Sequence, residues 1–578
     1  MDEDFLMVKS GKSKRGKIMI KFKTRTTMTR IAVTLLLLTG AANAKEAIVH
    51  DAEYAIIEAQ NGKAWAADDK AIDQKLADIR KKNGNKPPNI VYILLDDVGF
   101  GEIGMDELSV IRGYKTPKLS AFAKEGLSLQ RAYSEPSCTP TRVAMMTGRY
   151  PTRTGLTEAK TTLSGEGLSG EEVTIAEVLR DAGYNTSHVG KWHMGEIEQA
   201  YASNQGFMHA EFPIHQQAQL ALMGTESIDA DIIRGVDEGR EEQSYTLDKL
   251  FTVNPAHMVV GVEQRDGKLY EVNIEAGETW TQKKYRDMNE LYQKNALDQL
   301  RTLAKQDKPF FLNYWPMFPI NFVQEHKSEY NTLNGGTIAA SIVEMDEWIG
   351  QILDEVEKLG IAENTVIVVM GDNGPFMQYA GPTGQSDRIY RGGKTDHLEG
   401  GVRVNAWVKW KSVIEAGSYA EDMIHVSDLY TTFARLANAT DGIPRDRVID
   451  GLDQSGVLLL GDTHGRRDYL HIYEGTDLKS IVKNKYKMHL APPGANPITS
   501  AQVYDLYRDP RESRPIDSIK VSPWAGGQFA GMVQRHMALK KKYPNRPPTH
   551  GMPYAGIENL RPETKQLVEV FKLGQPQK

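Results

Sequence analysis

Continuous apolar runs alternate with amphipathic segments along the central part of the chain. Residues 91–95 and 366–370 form unbroken apolar runs, and each run is followed by acidic or amide residues and a glycine. Residues 342–360 instead carry apolar side chains at helical spacing and end at a glycine. Buried strands that alternate with such helices predict an α/β fold, with a large, mainly parallel sheet flanked by helices.

The pattern changes along the chain and predicts four regions. They are an N-terminal extension with a signal peptide (1–44), a polar helical segment (45–87), the main α/β domain (88–460) and a C-terminal subdomain with a tail (461–578). Residues 199–280 show no clean period, which predicts loops and insertions. The short runs in "DYLHIYEG", "KSIVKNKYKMHLA" and "AQVYDLYRDPRES" predict a small antiparallel sheet in a C-terminal α+β unit.

The stretch "MTRIAVTLLLLTGAANA", residues 28–44, has the form of an export signal. It contains a basic residue, an apolar run and small residues that end in Ala-Asn-Ala. Its apolar run is shorter than the roughly 20 residues of a membrane helix. We therefore expect an exported protein, periplasmic or extracellular, with no membrane anchor.

Composition narrows the functional classes. Hydrophobic residues make up 40% of the 578 and charged residues 25%, which are ordinary globular values, and the net charge is −6. With no basic excess, we expect no nucleic-acid partner. The chain has one cysteine, Cys138. An exported protein with a single cysteine forms no internal disulfide, so this thiol is intermolecular, idle or chemically special.

Oxygen-bearing side chains follow both apolar runs. Asp96 and Asp97 follow the first run, and Asp372 and Asn373 follow the second. The carboxyl ends of parallel strands meet at one edge of a sheet, where ligands bind. Carboxylate and amide oxygens favour Ca²⁺ or Mg²⁺ over Zn²⁺. In the alternative interpretation these residues only form turns.

"GKWHMG" places Lys191 and His193 two positions apart, just after a strand expected to end at Val189. If the chain stays extended there, both side chains face the same way. A lysine and a histidine directed together suit an anionic group and a proton transfer. The alternative is a solvated lysine beside a structural histidine.

The single cysteine lies in "SEPSCTPTRVAMMTGRYP". Thr139 is a candidate N-cap and Pro140 a candidate first helical residue, with Gly148 behind the helix. Cys138 would then lie at the positive end of a helix, with Arg142 one turn inside. Such an end binds anions.

The motif C-x-P-x-R, here Cys138 to Arg142, resembles the signature of the type I, formylglycine-dependent sulfatases. These arylsulfatase-like enzymes belong to the alkaline-phosphatase superfamily. Further blocks follow the order of that family: "NIVYILLDDVGFGEIG", "HVGKWHMG", "VVMGDNGP", "GGKTDHLEGGVR" and "VYDLYRDPRE". The resemblance spans residues 88–515 and implies an alkaline-phosphatase-like fold.

The resemblance also implies a function, a sulfuric ester hydrolase acting on aryl sulfates or sulfated carbohydrates. Cys138 would be converted by a maturation enzyme to Cα-formylglycine, whose hydrate attacks the sulfur. The implied Ca²⁺ ligands are Asp96, Asp97, Asp372, Asn373 and modified residue 138. Arg142 and Lys191 would stabilise the formylglycine and the sulfate, and His193 would assist elimination. Lys394 would bind sulfate and stabilise or protonate the leaving oxygen.

One position departs from the family pattern. Where the family carries a second sulfate-contacting histidine, this chain has Ile320. Asn321, His215 and His326 are candidate replacements, between which the sequence does not choose. Thr141 occupies the fourth motif position, where the family more often has serine or alanine, and we expect it to be tolerated.

Two other functions compete with this interpretation. Phosphatases and phosphodiesterases share the fold, but they typically use two Zn²⁺ ions and an Asp-His pair where this chain has Asp372 and Asn373. A non-catalytic protein that binds sulfated glycans would not need Cys138, Arg142, Lys191, His193 and Lys394 together.

Overall fold

The structure is a computed structural model. It describes residues 47–159, 164–213, 259–265, 268–273, 282–317, 336–375, 389–491, 501–516, 518–552, 561–564 and 566. The described residues from 48 onward belong to one compact unit. The expected signal peptide, residues 28–44, lies outside the described residues. Among the described helices, none combines the length and apolar character that a membrane span requires.

Helices and strands alternate as the apolar pattern predicts. The helices are α1 (Ala52–Lys82), α2 (Asp106–Ser109), α3 (Pro117–Glu125), α4 (Cys138–Thr147), α5 (Ile175–Asp181), α6 (Gln282–Ala304), α7 (Gly336–Lys358), α8 (Glu399–Val402), α9 (Asp428–Leu436), α10 (Ser455–Leu460) and α11 (Ser518–Lys542). The strands of the main sheet are β1 (Asn89–Leu95), β2 (Leu127–Tyr133), β4 (Asn185–Gly190), β5 (His209–Phe212), β6 (Val259–Arg265), β7 (Lys268–Asn273), β8 (Phe310–Trp315), β9 (Thr365–Gly371), β10 (Ala406–Lys409) and β11 (Ser418–His425). The others are β3 (Glu166–Gly167), β12 (Tyr469–Glu474), β13 (Asp477–Lys483), β14 (Tyr486–His489), β15 (Gln502–Asp505) and β16 (Thr549–His550).

The main sheet has ten strands in the order β11-β2-β10-β9-β1-β8-β4-β5-β6-β7. From β9 to β5 every neighbouring pair is parallel, and only β6 and β10 run against the other strands. The predicted fold class, a large and mainly parallel sheet flanked by helices, is therefore confirmed.

Strand β1 shows why the apolar run becomes a central strand. All seven of its residues are buried. Ile90, Tyr92 and Leu94 pack into one hydrophobic cluster, and the alternate residues Val91, Ile93 and Leu95 pack into another. Because successive side chains leave a strand on opposite faces, two cores are needed to bury such a run. Helices α4, α5 and α9 supply one core, and α3, α6 and α7 supply the other.

The expectation of loops and insertions over residues 199–280 is wrong in part. Strands β5, β6 and β7 extend the sheet at one edge, and β6 and β7 pair antiparallel. These strands are too short to produce the long apolar runs that identify the central strands. The sequence does carry a signal, since Asp266-Gly267 separates the two runs and this dipeptide favours a two-residue hairpin turn.

The predicted C-terminal antiparallel sheet is present as β12-β13-β14-β15. Its core combines Tyr469 and Ile481 with Trp65 of helix α1 and Phe529 of helix α11. The polar segment before the main sheet thus becomes helix α1, whose first turn is capped by the carboxylate of Asp51. The boundaries of the four predicted regions stay a prediction.

Four neighbouring parallel strands, β9, β1, β8 and β4, bring their carboxyl ends to one edge of the sheet. Strand β1 ends opposite β9, with Leu95 paired to Gly371. Strand β4 ends at Gly190, which pairs with Trp315. Gly190 has a φ of 106°, and a Cβ there would lie 2.1 Å from the Trp315 carbonyl oxygen. Only glycine allows this close approach of the two backbones.

We therefore expect Gly190→Ala to lower the free energy of unfolding by more than about 2 kcal/mol, since it adds a backbone clash to an unfavourable φ. Urea denaturation measures this change. Gly183→Ala is the control, because Gly183 also has a positive φ, 94°, but nothing lies within 4 Å of its Cβ position. Equal losses in the two variants would contradict the importance of the close approach.

Candidate active site

The ends of β1 and β9 are joined by their own polar groups. After Leu95 the chain leaves the strand, and Asp97 adopts a positive φ of 57°. The Asp97 backbone N–H donates to Asp372 Oδ1 at 2.9 Å, and the Asp372 N–H donates to the Leu95 carbonyl oxygen at 2.9 Å. Because the strand ends before Asp96, neighbouring aspartates need not face opposite sides of the sheet.

Asp96 is the centre of a buried ion-pair network. Lys191 Nζ donates to both of its carboxylate oxygens, at 2.7 and 2.8 Å, and Arg142 Nη2 lies 3.4 Å from Oδ1. Arg142 Nη2 also donates to Asp372 Oδ2 at 2.9 Å. The side chains of all four residues are fully buried. Charges removed from water in this way require close partners, and here each one has them.

A second, adjacent group contains Asp97, Asn373 and Lys394. Asn373 Nδ2 donates to Asp97 Oδ1 at 2.7 Å, and Lys394 Nζ donates to Asp97 Oδ2 at 2.8 Å. Burial opposes a charge on Lys394, but the carboxylate of Asp97 raises the pKa of this lysine above its usual value. Lys394 is therefore held as a cation beside the predicted metal ligands.

Cys138 is the first residue of helix α4 and is fully buried. The N-cap is Ser137, two residues before the predicted Thr139, and Gly148 ends the helix in the left-handed conformation as expected. Thr139 does not cap the helix, because its hydroxyl donates to the His193 carbonyl oxygen at 2.8 Å. Cys138 still lies at the positive end of the helix dipole.

Arg142 joins the helix to the sheet. Nη1 donates to the Lys191 carbonyl oxygen at 2.8 Å, and the guanidinium lies 5.0 Å from the ring centre of Trp315. Burial opposes its charge, yet the carboxylates of Asp372 and Asp96 raise its pKa. This fixed cation is directed at the point where β1, β9 and α4 meet.

The donor set fits a hard cation. One ligand atom from each of Asp96, Cys138 and Asp372 lies within 4.8 Å of the others. Asn373 Oδ1 is buried without a hydrogen-bond partner among the described residues. Such an orphaned oxygen beside carboxylates matches the ligands of Ca²⁺ or Mg²⁺. In place of the cysteine sulfur, the formylglycine that the sequence implies would offer an oxygen.

The electrostatics of the two carboxylates also fit a cation. Burial opposes ionisation of Asp96, but Lys191 and Arg142 lower its pKa below the usual value. For Asp372, burial and the negative charge of Asp96 raise the pKa well above the usual value. A bound divalent cation would favour the ionised form of both groups.

Lys191 and His193 do not lie on one extended face as expected. His193 itself has a positive φ of 57°, so the chain does not stay extended from Lys191 to His193. Both residues still belong to the site, since Lys191 binds Asp96 and the His193 carbonyl binds Thr139. Gly190, which ends strand β4, also has a positive φ.

The departure from the family pattern at Ile320 falls outside the described residues. Asn321 and His215, the expected substrate contacts, lie outside the described residues, as do Ile320 and His326. Their proposed roles stay predictions.

Thr141 has a structural role that the motif alone does not reveal. Its hydroxyl accepts the Glu135 N–H at 3.0 Å and donates to the Asp372 carbonyl oxygen at 2.5 Å. Thr141 thus ties the loop before Cys138 to the end of β9. The sequence signal for this role is the hydroxyl at the fourth motif position. Serine and threonine both provide a hydroxyl there, and alanine does not.

Comparison with known proteins agrees with this geometry. The family model described as Sulfatase matches residues 88–439. The chain is 28% identical over 540 residues to rat (Rattus norvegicus) steryl-sulfatase, covering 79% of this chain and 90% of that protein. It is 31% identical over 420 residues to rat N-acetylgalactosamine-6-sulfatase, covering 70% of this chain and 72% of that protein.

The chain belongs to the sulfatase family. A crystal structure of the PsFucS1 sulfatase from Pseudoalteromonas sp. matches it with a TM-score of 0.70 and 25% identity, covering 84% of this chain and 96% of that one. The resemblance found in the sequence is therefore confirmed. The protein is a sulfatase, an enzyme that hydrolyses sulfate esters, with an alkaline-phosphatase-like fold.

For this sulfatase we expect Thr141→Val to lower the free energy of unfolding by about 1–3 kcal/mol, because it leaves two buried backbone groups without partners. Urea denaturation measures the change. Thr141→Ser, which keeps the hydroxyl, is the control and should stay within about 1 kcal/mol of the wild type. A valine variant as stable as the serine variant would show that the hydroxyl contributes nothing.

Proposed function

We propose that this sulfatase hydrolyses aryl or carbohydrate sulfate esters at residue 138, after a maturation enzyme has converted Cys138 to formylglycine, with Ca²⁺ bound beside it. The observation that carries the proposal is the position of Cys138. It begins helix α4 and lies among Asp96, Asp372 and the cation Arg142. A plain cysteine hydrolase would need a paired base, and the sequence offers none by a recognisable motif.

Asp96, Asp97, Asp372 and Asn373 would hold the calcium ion, and Mg²⁺ is the other hard cation that suits these oxygens. When bound, the ion supplies positive charge to the sulfate oxygens, and formylglycine supplies a hydroxyl nucleophile in its hydrated form. The donor set described above supports this assignment, above all the orphaned Asn373 Oδ1.

The remaining cations would hold the sulfate group and its developing charge. Arg142 and Lys191 are fixed by Asp96. Lys394 is fixed by Asp97 and is the candidate for binding sulfate and stabilising the leaving oxygen. Fixed cations stabilise a transition state without reorganising during the reaction. His193 is the candidate that assists elimination.

The names of the relatives include a steryl-sulfatase and an N-acetylgalactosamine-6-sulfatase. They support a substrate range of small alcohol or carbohydrate sulfates. Export to the periplasm or beyond remains part of the proposal and rests on the leader-like residues 28–44.

A first test examines residue 138 directly. In protein from its native host, mass spectrometry of the tryptic peptide that carries residue 138 should show an aldehyde in place of the thiol. Cys138→Ala should lower kcat/KM for an aryl sulfate by at least about 10³, the scale expected when a nucleophile is removed. An unmodified thiol in fully active enzyme would contradict the proposal.

Ser137→Ala is the matched control, because Ser137 is the buried neighbour outside helix α4. The same preparations should be assayed with an aryl phosphate of the same alcohol. Faster phosphate hydrolysis restored by Zn²⁺ would favour the phosphatase interpretation.

A second test concerns the metal. We expect Ca²⁺ to raise the unfolding temperature of the wild-type enzyme, by an amount corresponding to about 2.7 kcal/mol at 100 times Kd. Asp372→Asn and Asn373→Leu should each abolish this stabilisation. Asp106→Asn, which alters an acid paired with Lys124 on the surface, should retain it. Equal stabilisation of all variants would place the ion elsewhere.

A further inference from the structure

The loop that carries Lys394 is fixed to the active site at several points. The Lys394 N–H donates to the Pro375 carbonyl oxygen at 2.9 Å, and the Thr395 N–H donates to the Pro136 carbonyl oxygen at 2.6 Å. Thr395 has a positive φ of 74°, which turns the chain there. The residues after Thr395 are therefore held next to the loop that leads into Cys138.

The small C-terminal sheet holds the next part of this loop through His397. Glu474, at the end of β12, accepts the His397 backbone N–H at 2.9 Å and also contacts His397 Nδ1 at 2.6 Å. Lys487 of β14 donates to the His397 carbonyl oxygen at 2.7 Å. Both backbone groups and one ring nitrogen of His397 are thus bound by a sheet that is separate from the main one.

The contact with Glu474 defines the state of the ring. Burial opposes ionisation of Glu474, but the hydrogen bonds from His397 lower its pKa below the usual value. A carboxylate only accepts, so Nδ1 carries a proton, and Nε2 is the ring nitrogen that is left to bind another group. Among the described residues, Nε2 has no hydrogen-bond partner, and the side chain is 22% exposed.

The ring is also held in place from its side. His489 packs against His397 with ring centres 4.8 Å apart, and His489 Nε2 is bound to Glu512 at 2.7 Å. Lys487, which is fully buried, bridges Glu399 and Glu512 at 3.1 and 2.9 Å. A side chain fixed this firmly has little rotamer freedom left to lose when it binds a ligand.

We propose that His397 is a substrate-binding residue, and that its Nε2 forms a hydrogen bond with a hydroxyl group that neighbours the sulfate ester of a sulfated carbohydrate. This inference rests on the proposed function, because it assumes that the sulfate is held near Lys394. It narrows the substrate class from sulfate esters in general to sugars that present a free hydroxyl beside the ester.

The charges around His397 favour a neutral hydroxyl over a second anionic group. Glu474 contacts the ring, Asp396 Oδ1 lies 3.7 Å from Nδ1, and the neighbouring His489 is bound by Glu512. A second sulfate or a carboxylate placed here would meet these carboxylates at close range. The nearby Lys479 is already 3.9 Å from Glu474, and Lys487 is buried between two glutamates.

The test compares His397→Ala with the wild type on two substrates, a monosulfated sugar and an aryl sulfate that has no hydroxyl group. The loss in kcat/KM should be about tenfold greater for the sugar, mainly through KM, because one hydrogen bond is worth up to about that factor. Removing the neighbouring hydroxyl from the sugar should lower kcat/KM of the wild type by the same factor of about ten. The same change in the sugar should lower kcat/KM of His397→Ala only slightly. Equal losses on both substrates would show a structural role only and would overturn the proposal.

His209→Ala is a matched control. His209 also forms a partly exposed pair with a glutamate, His209 Nε2 to Glu211 Oε1 at 2.7 Å, and its side chain is 18% exposed. It begins β5, at the amino end of a parallel strand rather than the carboxyl end. This variant should lose no selectivity between sugar and aryl sulfates.

Calorimetric binding separates this inference from the proposed function. In a Cys138→Ala background, which removes turnover, the monosulfated sugar should bind about tenfold more weakly when His397 is also replaced by alanine. This measurement stands even if residue 138 is not the nucleophile. Tighter binding of a disulfated sugar than of the monosulfated one, lost on replacement of His397, would overturn the proposal by identifying an anion site.

Discussion

The buried charge network around Asp96 is the constraint on which the rest of the site depends. Two carboxylates, a guanidinium and an ammonium lie together with no solvent exposure. Loss of any one partner would leave the others as uncompensated charges in a medium of low dielectric constant, which costs several kcal/mol. The four groups come from β1, β9, α4 and the end of β4, so the network can form only when these elements are assembled. Organisation of the catalytic site therefore requires the assembled main sheet.

Much of this could be predicted from the sequence because strand ends follow from local chemistry. An apolar run that stops at Asp96-Asp97 must leave the core there, and parallel strands direct such ends to one edge. Features that are decided by contacts with distant parts of the chain could not be predicted. Thr139 has the propensity of an N-cap, yet its hydroxyl donates to the His193 carbonyl oxygen, and helix α4 begins two residues earlier than expected. Likewise, no local pattern shows that Glu474, far along the chain, would bind the backbone N–H and the ring Nδ1 of His397.

The small C-terminal sheet helps to position the loop that carries Lys394. Through Glu474 and Lys487 it holds the loop whose other end fixes Lys394 beside Asp97. Its own core includes side chains from helices α1 and α11, near the two ends of the described chain. Changes at either end of the chain thus have a physical route to the position of Lys394, through packing rather than through direct contact with substrate.

Complete burial of Cys138 constrains the order in which the chain is modified and folded. A side chain with no exposed surface, at the start of a packed helix, cannot be reached by another enzyme once that helix has docked. The modification that we propose must therefore take place while residues 138–142 are still extended, before the main sheet closes over them. The modifying enzyme would then compete with folding of the chain for access to residue 138. A chain that folds first would be stable, correctly shaped and permanently inactive.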